Sequence, residues 1–183
     1  MLYVSELFVK GSAATTRKEL VTLAAELELS KAPTVETGML IRRPPDAVFQ
    51  AFVDPEVTTR FWFTKSSGRL EPGAQVTWEW EMYGASAPVK VKEFEENRRL
   101  VFDWGPEEAP GHVEMKFAAH KDDSTYLRVR ESGYKGSGDE VVAHALDSMG
   151  GFTMVLCAAK ALLEHDVQVS IVGDKAPPEG LEL

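Results

Sequence analysis

Two glutamates are the clearest candidates for acid–base chemistry in this 183-residue chain. Glu93 and Glu131 each lie near the end of a segment in which apolar and polar residues alternate, and each falls on the apolar side of that alternation. A carboxyl group there would face the interior, where desolvation raises its pKa and suits it to general acid or base catalysis. The alternative is a strand end that has left the sheet, with the carboxylate in water, because charged groups are rarely buried unpaired. No second catalytic group is identifiable, so Glu131 stays a weak catalytic candidate and no residue is assigned firmly.

A glycine-rich loop, Gly133-Tyr-Lys-Gly136-Ser-Gly138, leads into the longest predicted helix. Backbone N–H groups at a helix N-terminus can bind anions. However, Ser137 and Glu140 have the spacing of a capping box, and the acidic residues after the loop already complement the helix dipole. The glycine spacing also departs from both nucleotide-binding loop patterns. The loop therefore predicts an ordinary helix cap rather than a phosphate site.

The residue types that most often bind metals are few and scattered in this sequence. The four histidines show no HExxH motif and no close pair on one helical face. The single cysteine, Cys157, excludes an internal disulfide and a cysteine zinc cage. It has no visible base beside it, so we expect it to pack within the last helix. We predict no metal ion and no cofactor.

The composition restricts the partners of the protein. With 29 acidic and 20 basic residues the net charge is −9, so nucleic acid is not an expected partner. The N-terminus lacks the basic start and apolar run of a signal peptide, and no segment approaches the roughly 20 apolar residues that span a bilayer. One cysteine suits a reducing compartment. We predict a cytoplasmic protein without a membrane span.

The two ends of the chain are predicted to lie outside its main domain. Thr16 and Glu19 have capping-box spacing, and the leucines that follow share one helical face, which predicts an amphipathic helix over about residues 16–29. A proline-containing linker follows this helix, and residues 1–36 are assigned to an N-terminal extension. Residues 167–183, which contain two adjacent prolines, are assigned to a C-terminal tail.

Residues 37–166 between these ends predict one α+β domain. A first strand and two short helices precede five segments with a period of two, which is typical of an antiparallel meander. The inner face of this meander is aromatic, and its outer face interleaves acidic and basic residues suited to cross-strand pairing. The longest helix, at about Asp139–His165, is the only element long enough to cover the concave face of the sheet.

This order of elements, together with several local strings, resembles the START-like, or SRPBCC, helix-grip superfamily, and within it the family named after the activator of the Hsp90 ATPase. The resemblance covers about Thr37 to His165. The strings that carry it are Val48-Phe49 with Ala51-Phe52, Asp54-Pro55, Phe61-Trp62, Leu70 with Pro72-Gly73, Val91-Lys92-Glu93-Phe94, and Leu100, Phe102 and Trp104. Two positions depart from the family's frequent pattern: Phe61-Trp62 stands in place of paired tryptophans, and Gly151-Phe152 in place of a glycine–tryptophan pair.

The resemblance implies a curved antiparallel sheet wrapped around the long C-terminal helix, with a cavity that holds a lipid-like or aromatic molecule in many members. An opening near residues 61–67 would admit the ligand. The same aromatic residues would equally suit a filled core, because a domain of this size needs them for stability alone. The predicted ligand-binding residues are those on the faces that would enclose the cavity: Phe52, Phe61, Trp78, Trp80, Met82, Val91, Phe102, Trp104, Met115, Leu127, Met149, Phe152 and Leu156.

Three functions are compatible with this resemblance. The favoured one is non-catalytic binding of a small hydrophobic molecule, with a polar group of the ligand oriented by Glu131 or Tyr134. The second is a protein-interaction or stress-response module related to the Hsp90 activators, although residues 1–36 are too few to form the additional N-terminal domain of the activator itself. The third is a cyclase- or aromatase-like enzyme that uses a pocket carboxylate.

One face of the last helix, turned away from the sheet, is unexpectedly poor in charge. Where a solvated helix would carry charged side chains, it carries Ala143, Gly150, Met154, Ala158 and Ala161. We expect this face to be covered either by the N-terminal helix or by a second copy of the chain, which would form a homodimer. The adjacent pair Gly150-Gly151 costs about 2 kcal/mol in a helix interior, which is tolerable if it provides close backbone approach, a kink or room for a ligand.

Overall fold

The computed structural model describes residues 27–175. The predicted N-terminal helix lies outside this range apart from residues 27–29, which are not helical, and residues 176–183 of the tail also lie outside it. Within the described range, seven antiparallel strands form one sheet in the order β1-β7-β6-β5-β4-β3-β2. The strands are β1 Val35–Ile41, β2 Lys65–Ser66, β3 Gln75–Trp80, β4 Ala85–Glu95, β5 Arg99–Trp104, β6 Gly111–His120 and β7 Ser124–Ser132. The helices are α1 Pro45–Val53, α2 Pro55–Thr58 and α3 Gly138–His165, with short 3-10 helices at Glu81–Tyr83 and Gly173–Lys175.

The predicted helix-grip architecture is confirmed. The five alternating segments form β3 to β7 as an antiparallel meander, because a period of two places the apolar side chains of each strand on one face. The first strand pairs with the last, from Val35 opposite Glu131 to Ile41 opposite Thr125. The two-residue strand β2 extends the other edge by pairing with β3. This edge strand was not predicted, because two residues are too few to show a period.

Helix α3 begins at the predicted capping box. The hydroxyl of Ser137 accepts a hydrogen bond from the backbone N–H of Glu140, whose carboxylate accepts one from the N–H of Ser137 at 2.8 Å. By length and apolar composition alone α3 could cross a membrane. However, the stripe that includes Phe152, Leu156 and Ala159 is buried in the hydrophobic core. These contacts identify α3 as the helix that covers the concave face of the sheet.

The predicted inward position of Glu93 is wrong. The register between β4 and β5 shifts between Val91 and Glu93, and this β-bulge turns the following side chains to the opposite face. The carboxylate of Glu93 is 53% exposed and forms an ion pair with Arg99, which also binds Glu114 at 2.7 Å. Burial alone would raise the pKa of Glu114, but the hydrogen bonds and charges of Arg99 and Lys116 together outweigh it and hold the pKa below its usual value. Cross-strand charge pairing on the outer face is therefore confirmed here.

The charge-poor face of α3 is partly covered from within the chain. Ala158 is buried, and Met154 lines an internal cavity together with Val172 from the segment after α3. The predicted cover by an N-terminal helix lies outside the described residues. Cys157 is exposed, so the prediction that it packs inside the protein is wrong. Because α3 contacts the sheet along one stripe only, a small apolar residue on another side of the helix stays in solvent.

Candidate functional site

An internal cavity of about 310 Å³ lies between α3 and one end of the sheet. Trp80 is the last residue of β3 and Trp104 the last residue of β5, so both indoles reach the same end of the concave face. Phe152 approaches from α3, and its ring centroid lies 5.8 Å from that of Trp104. Trp62, which follows α2, lies 6.3 Å from Trp104 and 5.9 Å from Phe152. The wall of the cavity is therefore mainly aromatic.

The polar end of the cavity is formed by a buried carboxylate. Glu131, near the end of β7, is only 4% exposed. Its Oε1 accepts a hydrogen bond from the indole N–H of Trp104 at 2.6 Å, and its Oε2 accepts one from the hydroxyl of Tyr134 at 3.0 Å. The hydroxyl of Ser148 on α3 also donates to Oε2. Glu131 thus joins β5, β7 and α3 at the site through three uncharged donors.

Gly111 allows this polar cluster to form. It lies opposite Trp104 in the pairing of β5 with β6. A Cβ atom at this position would overlap Oε1 of Glu131 and lie 2.8 Å from the indole nitrogen of Trp104. Glycine is therefore required by the close approach of the two side chains and not by an unusual backbone angle.

Tyr134 is held in its neutral, hydrogen-bonding form. Burial raises the pKa of its phenol and outweighs a hydrogen bond with Ser148 that lowers the pKa, and the charge and hydrogen bond of Glu131 raise the pKa further. The phenol therefore keeps its proton throughout the neutral range and remains a donor to the carboxylate. Its position at the start of the loop after β7 places it beside the cavity.

The opening of the cavity lies between two loops. Pro106 and Ala109, between β5 and β6, are exposed, as is Lys135, between β7 and α3. All three line the cavity, and Lys135 ties the loops together by donating to the backbone oxygen of Glu108 at 2.8 Å. Of residues 61–67, where the opening was predicted, only Trp62 lines the cavity, and Phe61 to Phe63 are buried.

The segment after α3 closes one side of the cavity. Val172 is buried and lines the cavity, and its backbone oxygen accepts a hydrogen bond from the hydroxyl of Tyr83. Tyr83 belongs to the short 3-10 helix after β3. Residues assigned from sequence to a tail therefore contribute to the wall of the site.

The comparisons with known proteins agree with this architecture. The family model described as "Activator of Hsp90 ATPase homolog 1-like protein" matches residues 42–164. The chain belongs to this family. A search of curated protein sequences found no match.

Solved structures with this fold come from several organisms. Protein SSP2350 from Staphylococcus saprophyticus is 29% identical, with a TM-score of 0.64 over 75% of this chain and 96% of that one. The Aha1 dimer from Colwellia psychrerythraea is 17% identical, with a TM-score of 0.63 over 73% and 97%. The HSP90 activator PFC0360w from Plasmodium falciparum is 19% identical, with a TM-score of 0.56 over 71% and 95%. At such identities the last two show a common fold alone.

In this member of the Hsp90 activator-like family, three of the predicted ligand-binding residues line the cavity: Trp80, Trp104 and Phe152. Eight others are buried in the hydrophobic core without lining it: Phe52, Phe61, Trp78, Val91, Phe102, Met115, Leu127 and Leu156. The structure therefore divides the predicted set between a cavity wall and a filled core.

The predicted inward positions of Met82 and Met149 are wrong, because their side chains are 44% and 38% exposed. Met82 follows the end of β3, where the 3-10 helix Glu81–Tyr83 interrupts the alternation of the strand. Met149 lies on α3 three residues before Phe152, outside the stripe that faces the sheet. The prediction for Met82 failed because the two-residue period of β3 was continued past Trp80, where the strand ends.

Several cavity residues of this family member were missed as ligand-binding candidates. Ser148 lies one helical turn before Phe152, so the spacing of four residues could have identified it. Trp62 was noted only as part of a family string. Tyr83 and Val172 carry no sequence signal, because they reach the cavity through a 3-10 turn and the segment after α3. Among residues 27–175, no cluster of three His, Cys, Asp or Glu residues could hold a metal ion.

Proposed function

We propose that this protein binds a small hydrophobic molecule in the cavity between the sheet and α3, without catalysing a reaction. The observation that carries the proposal is an unfilled space of about 310 Å³ bordered by the rings of Trp62, Trp80, Trp104 and Phe152. Its volume lies within the range of about 300–1,000 Å³ that is typical of ligand pockets. Membership of the Hsp90 activator-like family is compatible with this function.

The glycine at position 151 supports the proposal. It lies in the middle of α3 and lines the cavity, and a Cβ atom added there would meet no other atom within 4 Å. Glycine in a helix interior costs about 1 kcal/mol relative to alanine. A side chain at this position would occupy the space that we assign to the ligand, so the glycine keeps the cavity open at the expense of helix stability.

The arrangement around Glu131 favours binding over catalysis. Its carboxylate holds Trp104, Tyr134 and Ser148 in place through three hydrogen bonds. A cyclase-like enzyme would need the carboxylate to exchange a proton with its substrate, and protonation would weaken all three of these bonds. We therefore assign Glu131 the role of fixing and orienting groups around the ligand.

Two substitutions in α3 test the proposal with a matched control. Gly151→Leu places a branched side chain in the cavity, whereas Gly150→Leu places the same side chain on a neighbouring position that does not line it. Both variants should gain similar helix propensity. We expect native mass spectra of the wild type and of Gly150→Leu, purified from the same rich expression host, to show a bound small molecule that Gly151→Leu has lost.

Two results would contradict the proposal. A wild-type protein that is empty after purification and shows no thermal shift with a panel of lipids and aromatic compounds would oppose ligand binding. Retention of the bound molecule by a folded Gly151→Leu variant would place it elsewhere on the protein. Turnover of a bound compound would instead support the enzymatic alternative, and its loss in Glu131→Gln would identify the residue responsible.

A second candidate function, interaction with a protein partner, is favoured by an exposed apolar area on α3. Leu146 is 70% exposed, and Met149 lies three residues further along the helix and is also exposed. The similar Aha1 from Colwellia psychrerythraea forms a dimer. A homodimer through this area, or a stress-related cytoplasmic partner, would account for it. Native mass spectrometry of the full chain should then show a dimer that Leu146→Glu dissociates, and a monomeric wild type would reject the homodimer.

A further inference from the structure

We infer that the ligand of the cavity is an organic amine, with an aromatic or aliphatic body and one protonated ammonium group that approaches Glu131. This inference rests on the proposed binding function and specifies its ligand class. It follows from the combination of one buried carboxylate with an aromatic wall. A neutral hydrophobic ligand would not require a negative charge at the cavity.

Within the described part of the chain, the carboxylate of Glu131 has no positively charged partner. Its three hydrogen-bond donors are an indole, a phenol and a hydroxyl, all of them uncharged. Among residues 27–175, no lysine or arginine forms an ion pair with it. Lys135, which lines the same cavity, donates instead to the backbone oxygen of Glu108. Burial of a carboxylate without a cation is costly, and a cationic ligand would compensate for that cost.

The carboxylate also retains capacity for one more donor. A carboxylate offers about four acceptor positions, and the protein uses one on Oε1 and two on Oε2. Glu131 lines the cavity, so the remaining position is available to a ligand there. An ammonium group would form a charge-assisted hydrogen bond, which is about twice as strong as a neutral one.

The aromatic wall around this carboxylate favours positive charge for an independent reason. The faces of tryptophan and tyrosine rings carry negative electrostatic potential and attract cations that lie within about 6 Å. The rings that line the cavity are Trp62, Trp80, Tyr83, Trp104, Tyr134 and Phe152. A ligand with a carboxylate, such as a fatty acid, would be repelled by Glu131, whereas the charge of Asp147 at the same cavity is compensated by Lys175 at 2.6 Å.

Three probes that share one apolar body test the inference. Naphthalene carrying an aminomethyl, a hydroxymethyl or a carboxylate group would be titrated into the full-length protein by calorimetry at neutral pH. We expect the aminomethyl compound, which is protonated, to bind about tenfold or more tightly than the alcohol, and the carboxylate to bind least. The wild-type comparison requires no variant, so equal binding of the amine and the alcohol overturns the inference even if a substitution at Glu131 prevents folding.

Glu131→Gln and Asp147→Asn each remove one negative charge from a residue that lines the cavity, but only the carboxylate of Asp147 is paired with a cation, Lys175. We expect Glu131→Gln to abolish the preference for the amine and Asp147→Asn to leave most of it. Equal affinity of wild type for the amine and the alcohol would overturn the inference and leave the proposed binding function intact. Failure of all three probes to bind would overturn the inference alone, because the native mass spectra of wild type and Gly151→Leu test the binding function separately. Equal loss of preference in the two variants would assign the effect to general charge and not to Glu131.

Discussion

At the end of the interior beneath α1, the ring of Phe117 contacts those of Phe49 and Phe52 edge to face, with centroids 5.1 and 6.1 Å apart. At the opposite end, the rings of Trp80 and Trp104 border open space. The same sheet contributes to both ends, and both are rich in aromatic residues. We call the first the filled end and the second the open end.

The comparison shows that aromatic content does not distinguish a core from a binding site. The two ends differ instead in where they place glycine residues and in whether their buried polar groups face a cavity. Gly111 and Gly151 lie at the open end, where one permits a buried polar cluster and the other leaves space unoccupied. At the filled end the hydroxyl of Thr58 is buried and donates to the backbone oxygens of Ala51 and Asp54. Its proton is therefore already used in hydrogen bonds within the protein.

The largest expected effect is the loss of a ring from the filled end. Phe52→Ala should reduce the free energy of unfolding by about 3–5 kcal/mol, because a fully buried ring leaves a cavity that the surroundings cannot fill. Phe152→Ala should cost less, since its ring already borders open space. Urea denaturation of both variants measures the difference. Equal losses, or a larger loss for Phe152→Ala, would mean that the open end is packed as tightly as the filled end.

The next effect concerns the polar cluster of the open end. Gly111→Ala should destabilise the protein by about 2 kcal/mol or more and weaken ligand binding, because the added Cβ displaces Glu131 and Trp104. Gly84→Ala is the control: its backbone has a φ of +57°, but a Cβ there meets nothing within 4 Å. It should cost about 1 kcal/mol of backbone strain and leave ligand binding unchanged. Unaltered ligand affinity in Gly111→Ala would remove the cluster from the binding site.

A smaller effect on stability is expected at Glu164, which differs from Glu131 in having a cationic partner. Glu164, whose side chain is 6% exposed, receives a hydrogen bond from Lys160 and one from the backbone N–H of Arg42. Although burial raises its pKa, these bonds outweigh burial and bring the pKa below the ordinary 4.5. The folded protein therefore binds this proton less readily than the unfolded chain, so the stabilisation is complete above pH 4.5 and disappears as the pH falls.

The test is the pH dependence of stability in Glu164→Gln. This variant should lose about 1–2 kcal/mol at neutral pH, and its stability should decline less than that of the wild type as the solution is acidified. Urea denaturation at a series of pH values measures both quantities. Parallel curves for variant and wild type would show that Glu164 has no special role in acid sensitivity.

The smallest effect should be a gain in stability. Gly150→Ala and Gly151→Ala should each stabilise α3 by about 0.5–1 kcal/mol, because neither added Cβ meets another atom within 4 Å. Only Gly151→Ala should also lower ligand affinity, since only that position lines the cavity. Thermal unfolding with and without ligand measures both quantities. Identical ligand affinities in the two variants would show that the ligand does not approach Gly151.

Local patterns in the sequence were sufficient to predict most elements of the fold. The alternation in β3, β6 and β7, and the capping box that starts α3, arise from neighbouring residues and were confirmed. In β5 the predicted alternation is wrong at Val101, which is buried like Leu100 and Phe102 on either side of it. The predictions for Glu93 and Met82 were wrong because a bulge and a 3-10 turn end the alternation, and both depend on how strands pair. Of the site, the aromatic residues at strand ends were predicted, whereas Tyr83 and Val172 were not.

The sequence by itself determined the fold class, the order of the elements and the inward position of Glu131. Each of these depends on the period of a strand or a helix, and that period is visible in the spacing of apolar residues along the chain. Only the tertiary structure decided which aromatic side chains fill the interior and which border a cavity. That distinction depends on how closely α3 approaches the sheet at each end, and this distance is set by contacts between residues far apart in the chain, such as Ser148 with Glu131 and Lys160 with Leu40.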